Sequence, residues 1–169
     1  DEPEHVEEYA KSIGHLHEIA PSFRFKAALN HTGFIDRFGD LVDDFAPALF
    51  CIQQEYAPLV SLMDKLREGK RYLWYVCCLP EHPNTFLHSP MEEGRLIGWM
   101  THVMGLDGFL RWSYTCWTDK PREDIRFFCW PAGDVNFIYP SGDKAPLLSL
   151  RWKALARGIQ EFELLRLAR

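Results

Sequence analysis

The 169 residues are 47% hydrophobic and 25% charged, the profile of a globular chain with enough apolar material for a sizeable core. The formal net charge is -5 with both signs interspersed, and without a basic stripe a nucleic-acid partner is excluded. No apolar run is long enough to cross a bilayer, so a membrane partner is not expected either.

The chain opens on Asp1-Glu2-Pro3, two adjacent carboxylates against a helix start. One reading is structural: Asp1 caps the helix, Pro3 sits in its first turn and Glu4 completes a capping box. The other is chemical. Side by side at the top of a strand, one carboxyl can protonate a leaving group while the other steadies or orients its neighbour. Val6, Tyr9, Ile13 and Leu16 continue at helical spacing, and Pro21 ends the helix. Phe23 to Leu29 reads as a strand, followed by an Asn30-His31-Thr32-Gly33 loop and a short helix or turn near Asp36.

Ala46 to Ile52 is an apolar run behind Asp43-Asp44 and reads as a second strand. Leu59, Leu62, Met63 and Leu66 mark an amphipathic helix closed by Gly69. Tyr72 to Cys78 is a third strand, aromatic and β-branched. A loop with three prolines leads to a helix through Leu96, Ile97, Met100 and Val103, ended by Gly105. Phe109 to Tyr114 is a fourth strand. A long Pro/Gly-containing segment then reaches Tyr139-Pro140, and a last helix carries Trp152, Leu155, Ile159 and Phe162 on one face.

Strand and helix alternate, and the strands are apolar on both faces. That pattern predicts right-handed crossovers around a parallel sheet. There are about four β-α units where a complete (β/α)8 barrel takes roughly 250 residues. The glycine-rich phosphate loop that many open sheets carry is missing. The expectation is therefore an α/β fold with parallel strands, a partial (β/α)8 TIM barrel comprising its C-terminal four units over residues 1–169. Such a half barrel exposes sheet edges, which predicts pairing with a second copy or with the missing N-terminal half.

These stretches together resemble the catalytic domain of glycoside hydrolase family 123. The resemblance is carried by Asp1-Glu2-Pro3, the Arg71-to-Cys78 strand, Arg95-Leu96-Ile97-Gly98-Trp99, Gly108-to-Tyr114 with Trp117, Gly133-Asp134, Tyr139-Pro140, Ser149-Leu150-Arg151-Trp152 and Arg157-to-Glu163. It implies a carbohydrate substrate and a retaining β-N-acetylhexosaminidase of the N-acetylgalactosaminidase kind. It also implies hydrolysis assisted by the substrate's own 2-acetamido group, with Asp1 orienting that group and Glu2 as the acid and then the base. Neither metal nor cofactor is needed for this chemistry. A catalytically silent carbohydrate-binding relative and a small interaction domain are the alternatives. They separate from the enzyme on whether Asp1 and Glu2 converge on a pocket with Tyr75 and Trp117.

Tyr75 should fall near the C-terminal end of its strand, where barrel active sites form, with its hydroxyl on the ligand. Trp117 is expected to line the pocket and Trp112 to pack in the core. Asp134 and Tyr139 lie in the long segment, as substrate contacts or, for Asp134, as support for a turn. The five cysteines are odd in number, and Cys51, Cys77, Cys78 and Cys116 with His82 or His88 fit no familiar zinc spacing. Reduced, largely buried thiols of a cytoplasmic protein are the expectation. Arg151, Arg157, Glu161 and Glu163 read as ion pairs at helical spacing.

Overall fold

The structure is a computed structural model that describes residues 5–66, 68–142 and 144–168. They divide into two compact units, residues 5–75 with 106–110 and residues 76–105 with 111–168.

The first unit is a four-stranded parallel sheet in the order β1-β2-β3-β4, with β1 at Lys26–Leu29, β2 at Asp44–Pro47, β3 at Arg71–Tyr75 and β4 at Gly108–Leu110. The fold is α/β, as expected, and the sheet is open. Helices α1 (Val6–Ile19), α2 (Gly33–Phe38), α3 (Leu49–Gln54) and α4 (Tyr56–Leu66) connect and flank the first three strands. All four residues of β2 are buried, the mark of a strand covered on both faces. Phe45 stacks on Tyr72 across the β2–β3 pair at 5.4 Å, and Trp74 meets Phe109 edge-on at 5.0 Å. Each such ring pair adds about 0.5–1.5 kcal/mol beyond its area burial.

The strand starts are pinned by charge. The buried Asp44 carboxylate accepts from Arg71 at 2.6 and 2.9 Å and from Arg24 at 3.1 Å. Arg71 first, then Arg24, holds that carboxyl below its ordinary value against the opposing effect of burial. Asp107 grips β3 by accepting from the Tyr72 amide at 2.8 Å while its own amide donates to the Tyr72 carbonyl at 2.7 Å.

The expected strands from Phe23, Tyr72 and Phe109 are shorter in the structure, at Lys26–Leu29, Arg71–Tyr75 and Gly108–Leu110, and the second expected strand is corrected outright. The apolar run from Ala46 to Ile52 is not one strand: β2 stops at Pro47, and α3 begins at Leu49 after an extended Ala48. A short apolar run buried on every side carries no period, so strand and helix look alike in it. The long segment before the last helix also holds an antiparallel pair the sequence did not reveal, β5 (Ile138–Tyr139) with β6 (Leu147–Leu148).

In the second unit, α5 (Met91–Val103) packs along α6 (Leu150–Leu167). Ser149 caps α6 by accepting from the Trp152 amide at 3.0 Å. The helices meet at Gly94, Gly98 and Gly158, where backbone faces backbone. A Cβ at Gly158 would lie 2.7 Å from the Arg95 carbonyl oxygen and 2.8 Å from that of Gly94. Gly158→Ala is therefore expected to lower stability by about 1–3 kcal/mol, read from the midpoint of urea unfolding, despite alanine's better helix propensity. An unchanged midpoint would show that the helices separate at no cost.

Glu161 ties the pair together. It accepts from Arg95 at 2.6 Å, from the Trp99 indole at 2.8 Å and from Arg157 at 3.1 Å. Arg95 first, then Trp99, holds its carboxyl down at about 2. A depressed carboxyl contributes stability that is complete above its unfolded value, about 4.3, and is lost as pH falls toward the folded value. The stability difference between wild type and Glu161→Gln should thus shrink between about pH 4.5 and 2, measured by unfolding across that range. A difference constant through that window would remove this assignment.

The expected ion pairs of the last helix hold for Arg157–Glu161, and Glu163 pairs with Arg166 at 2.8 Å. Arg151 departs from that reading. It is buried and bonds carbonyls instead of a carboxylate.

Candidate functional site

In a parallel sheet the carboxyl ends of the strands and the loops leaving them are where ligands bind. In the first unit that edge carries Tyr75, the last residue of β3, largely buried and bridged to Ala48. The loop leaving β1 adds a group that the sequence reading left as plain loop. The Gly33 amide donates to His31 Nδ1 at 2.9 Å, which assigns the proton of a neutral ring to Nε2. That nitrogen lies 3.6 Å from Glu55 Oε1. The other Glu55 oxygen accepts from the Thr32 amide at 3.1 Å and from the Thr32 hydroxyl. The Thr32 hydroxyl bond, more than the nearby His31, lowers the Glu55 carboxyl from its usual value. This arrangement can hold or pass a proton at His31 Nε2. Its signal was legible, a polar Asn-His-Thr-Gly run directly after a strand, but its acid lies 23 residues further on.

The second unit has a charged interior. Arg111 and Asp134 form an ion pair with both side chains at 0% exposure. Arg111 donates to the carbonyls of Val76 at 2.8 Å and Asp134 at 2.7 Å, to the Asn84 side chain at 3.3 Å and to the Asp134 carboxylate. Burial pushes the Asp134 carboxyl up from its ordinary value, and Arg111 followed by Trp112 opposes that rise. Arg151 donates to the carbonyls of Thr85 at 2.7 Å, Gly133 at 2.8 Å and Asn136 at 2.7 Å. The two guanidinium groups lie over the Phe137 ring at 5.9 and 5.2 Å. Together they fix the segment from Gly133 to Phe137 with fork-shaped donors that no lysine reproduces.

That segment positions two of the expected ligand contacts. Trp117 donates its indole N–H to the Ile138 carbonyl at 2.7 Å, so its ring is held against β5. Tyr139, next in β5, is half-buried. Asp134 lies beneath the surface and holds the loop through Arg111. The amide of Asn136 is buried with neither polar atom partnered among the described residues. An amide left so costs about 1–3 kcal/mol unless a ligand or water completes it. Trp117, Asp134 and Tyr139 thus belong to one loop and hairpin of the second unit, and Tyr75 ends β3 in the first. Asp1 and Glu2 lie outside the described residues.

The thiols differ from expectation. Only Cys51 is buried, and burial with Glu55 nearby pushes it up to about 11. Cys77 and Cys116 are half-buried, Cys78 and Cys129 exposed. The expectation followed from their apolar sequence neighbours, whereas Cys77 and Cys78 lie past the end of β3, in the turn leaving it. Trp112, expected in the core, is 44% exposed. Among the described residues no cluster of His, Cys, Asp and Glu is large enough to hold a metal ion, and no helix is long and apolar enough to cross a membrane.

The first unit is thus an open parallel α/β sheet with polar groups on the loop leaving β1. Residues 1–168 match the model of the glycoside hydrolase 123 catalytic domain, and the chain belongs to that family. The fold is similar to that of a family 123 glycoside hydrolase from Clostridium perfringens, whose structural analysis addressed glycolipid glycan hydrolysis. The TM-score is 0.78 at 24% identity, covering 98% of this chain and 29% of that one. No curated protein matches the chain.

Proposed function

We propose that the full-length protein is a retaining β-N-acetylhexosaminidase, N-acetylgalactosaminidase-like, that uses the substrate's acetamido group as its nucleophile. The observation that carries this reading is the family match, which begins at residue 1 and so includes the adjacent carboxylates Asp1 and Glu2. In the first step the acetamido oxygen bonds to the anomeric carbon while Glu2 gives its proton to the departing glycosidic oxygen. Asp1 accepts from the acetamido N–H and raises the oxygen's nucleophilicity. In the second step Glu2 takes a proton from water, which opens the cyclic intermediate from the opposite face, and net configuration is retained. Tyr75, Trp117 and Tyr139 contact the sugar, and Asp134 positions the loop that carries the last two.

The four parallel strands are, on the same reading, the C-terminal half of a (β/α)8 barrel. The parallel order of the four strands in an open sheet supports this. Edge strands β1 and β4 then take their outer neighbours from the rest of the barrel or a second copy. The deciding experiment compares an aryl N-acetyl-β-galactosaminide with its 2-hydroxy analogue on the full-length protein. Cleavage of the first alone, and inhibition by a thiazoline mimic of the cyclic intermediate, is the expected result. Equal cleavage of both would overturn the assisted mechanism, and cleavage of neither would leave a silent carbohydrate-binding relative.

A further inference from the structure

The turn leaving β3 carries a pair of groups that the proposed hydrolysis does not use. Cys77 and Cys78 are neighbours in the chain, and their sulfur atoms lie 3.8 Å apart. Adjacency alone does not bring two sulfurs together, because successive side chains on extended backbone point to opposite faces. Here the chain has left the strand: β3 ends at Tyr75, and both cysteines lie in the turn beyond it. Cys78 is exposed and Cys77 half-buried.

The turn is held from within the second unit. The fully buried Asn84 side chain donates to the Cys77 carbonyl at 2.9 Å and to the Pro80 carbonyl at 2.6 Å. The Cys77 amide donates to the Leu79 carbonyl at 3.3 Å. Asn84 is itself fixed. Its side-chain oxygen accepts from the Thr85 amide at 2.8 Å and from Arg111 at 3.3 Å, and its backbone amide donates to Glu93 at 2.8 Å. The backbone is thus tied to one buried side chain on both sides of Cys78.

A disulfide needs its sulfurs about 2.05 Å apart, so this pair has to close by less than ~2 Å to bond. Adjacent Cα atoms are about 3.8 Å apart, below the roughly 4.4–6.8 Å that ordinary disulfides span. A bond between neighbours is therefore strained, and strained or exposed disulfides are the readily reduced ones. The burial that Cys78 retains, followed by Cys77 and then Asp134, raises its thiol above the ordinary value. Such a thiol reacts slowly at neutral pH and faster as pH rises.

We propose that Cys77 and Cys78 form a reversible dithiol–disulfide site, closed by a small disulfide such as oxidised glutathione and reopened by the corresponding thiol. In the first step Cys78, as thiolate, attacks one sulfur of the oxidant. That S–S bond breaks, and one small thiolate leaves and takes up a proton equivalent to the one Cys78 released. In the second step Cys77 loses its proton and attacks the Cys78 sulfur, expelling the second small thiolate, which is protonated in turn. Two protein thiols are oxidised and one small disulfide is reduced to two thiols, with no net change in protons. The site does not depend on the hydrolase reading.

The test incubates the full-length protein with oxidised glutathione, traps the remaining thiols by alkylation and follows the tryptic peptide Tyr72–Arg95, which carries these two cysteines alone. The peptide should lose two hydrogens and keep no adduct, and excess reduced glutathione should restore both thiols. The rate should rise about tenfold from pH 7 to pH 8, as the thiolate fraction of a raised thiol does. Closure of the mixed disulfide should be at least about tenfold faster in native than in urea-unfolded protein, because the fold presets the two sulfurs. Cys77→Ser should stop at the glutathione adduct on Cys78, and the wild-type readout stands whether or not that variant folds. A lasting adduct on wild-type Cys78, a bond from either cysteine to another in the chain, or no reaction at pH 8 would overturn the site. A rate unchanged between the two pH values would remove Cys78 as the attacking thiol, and equal closure in native and unfolded protein would remove the role of the turn that Asn84 holds.

Discussion

Replacing Glu2 by Gln in the full-length protein is expected to lower kcat on an N-acetyl-β-galactosaminyl disaccharide by about 10²–10⁴. The amide has the carboxyl's shape and no proton to give. A sugar leaving group departs as an alkoxide without that proton, so the whole acid contribution is lost. A nitrophenolate needs little protonation, so the loss should shrink on the aryl glycoside. Asp1→Asn should impair both substrates alike, because it weakens the acetamido nucleophile before either bond breaks. Steady-state kinetics on the two substrates separate the roles. Near-wild-type rates in both variants would reduce the carboxylates to a helix cap and its first-turn acid.

Arg111→Met should destabilise the second unit by about 3–5 kcal/mol, the usual consequence of leaving a buried charge without its partner. The variant strands Asp134 at 0% exposure and removes the donor from the Val76 and Asp134 carbonyls. Arg111→Lys should recover little, since one ammonium cannot serve acceptors that the guanidinium fork reaches together. The double variant Arg111→Met with Asp134→Leu should recover most of the loss, because a buried pair replaced by apolar groups is often neutral. The deficit of the single variant should also be smaller near about pH 4 than at about pH 7. An unpaired buried carboxyl is raised further, and its protonation relieves the cost at low pH. Urea unfolding of the four proteins at two pH values provides the test. A loss below about 1 kcal/mol in the single variant would mean that the pair is open to water.

The α/β architecture was legible because strands buried on both faces are written as apolar runs and helices as apolar residues at 3.6-residue spacing. Tyr72, Trp74, Leu59, Met63 and Leu155 sit inside as that pattern requires. The family was legible too, since its motifs are local strings. What the sequence left open depends on groups distant in the chain. Ala46 to Ile52 had no period to divide it, and only the neighbouring strands on either side of Asp44–Pro47 decide where β2 ends and α3 begins. Arg111 and Asp134 are 23 residues apart, and Arg151 reaches a carbonyl 66 residues away. A charge is buried only where partners converge on it, and convergence is a property of the packed chain. The same holds for Phe128, whose exposure and left-handed backbone are set by the turn that Phe127 and Trp130 close. Local composition and period are carried by the chain itself, whereas buried charge, backbone strain and exposed aromatic surface arise only when distant segments pack.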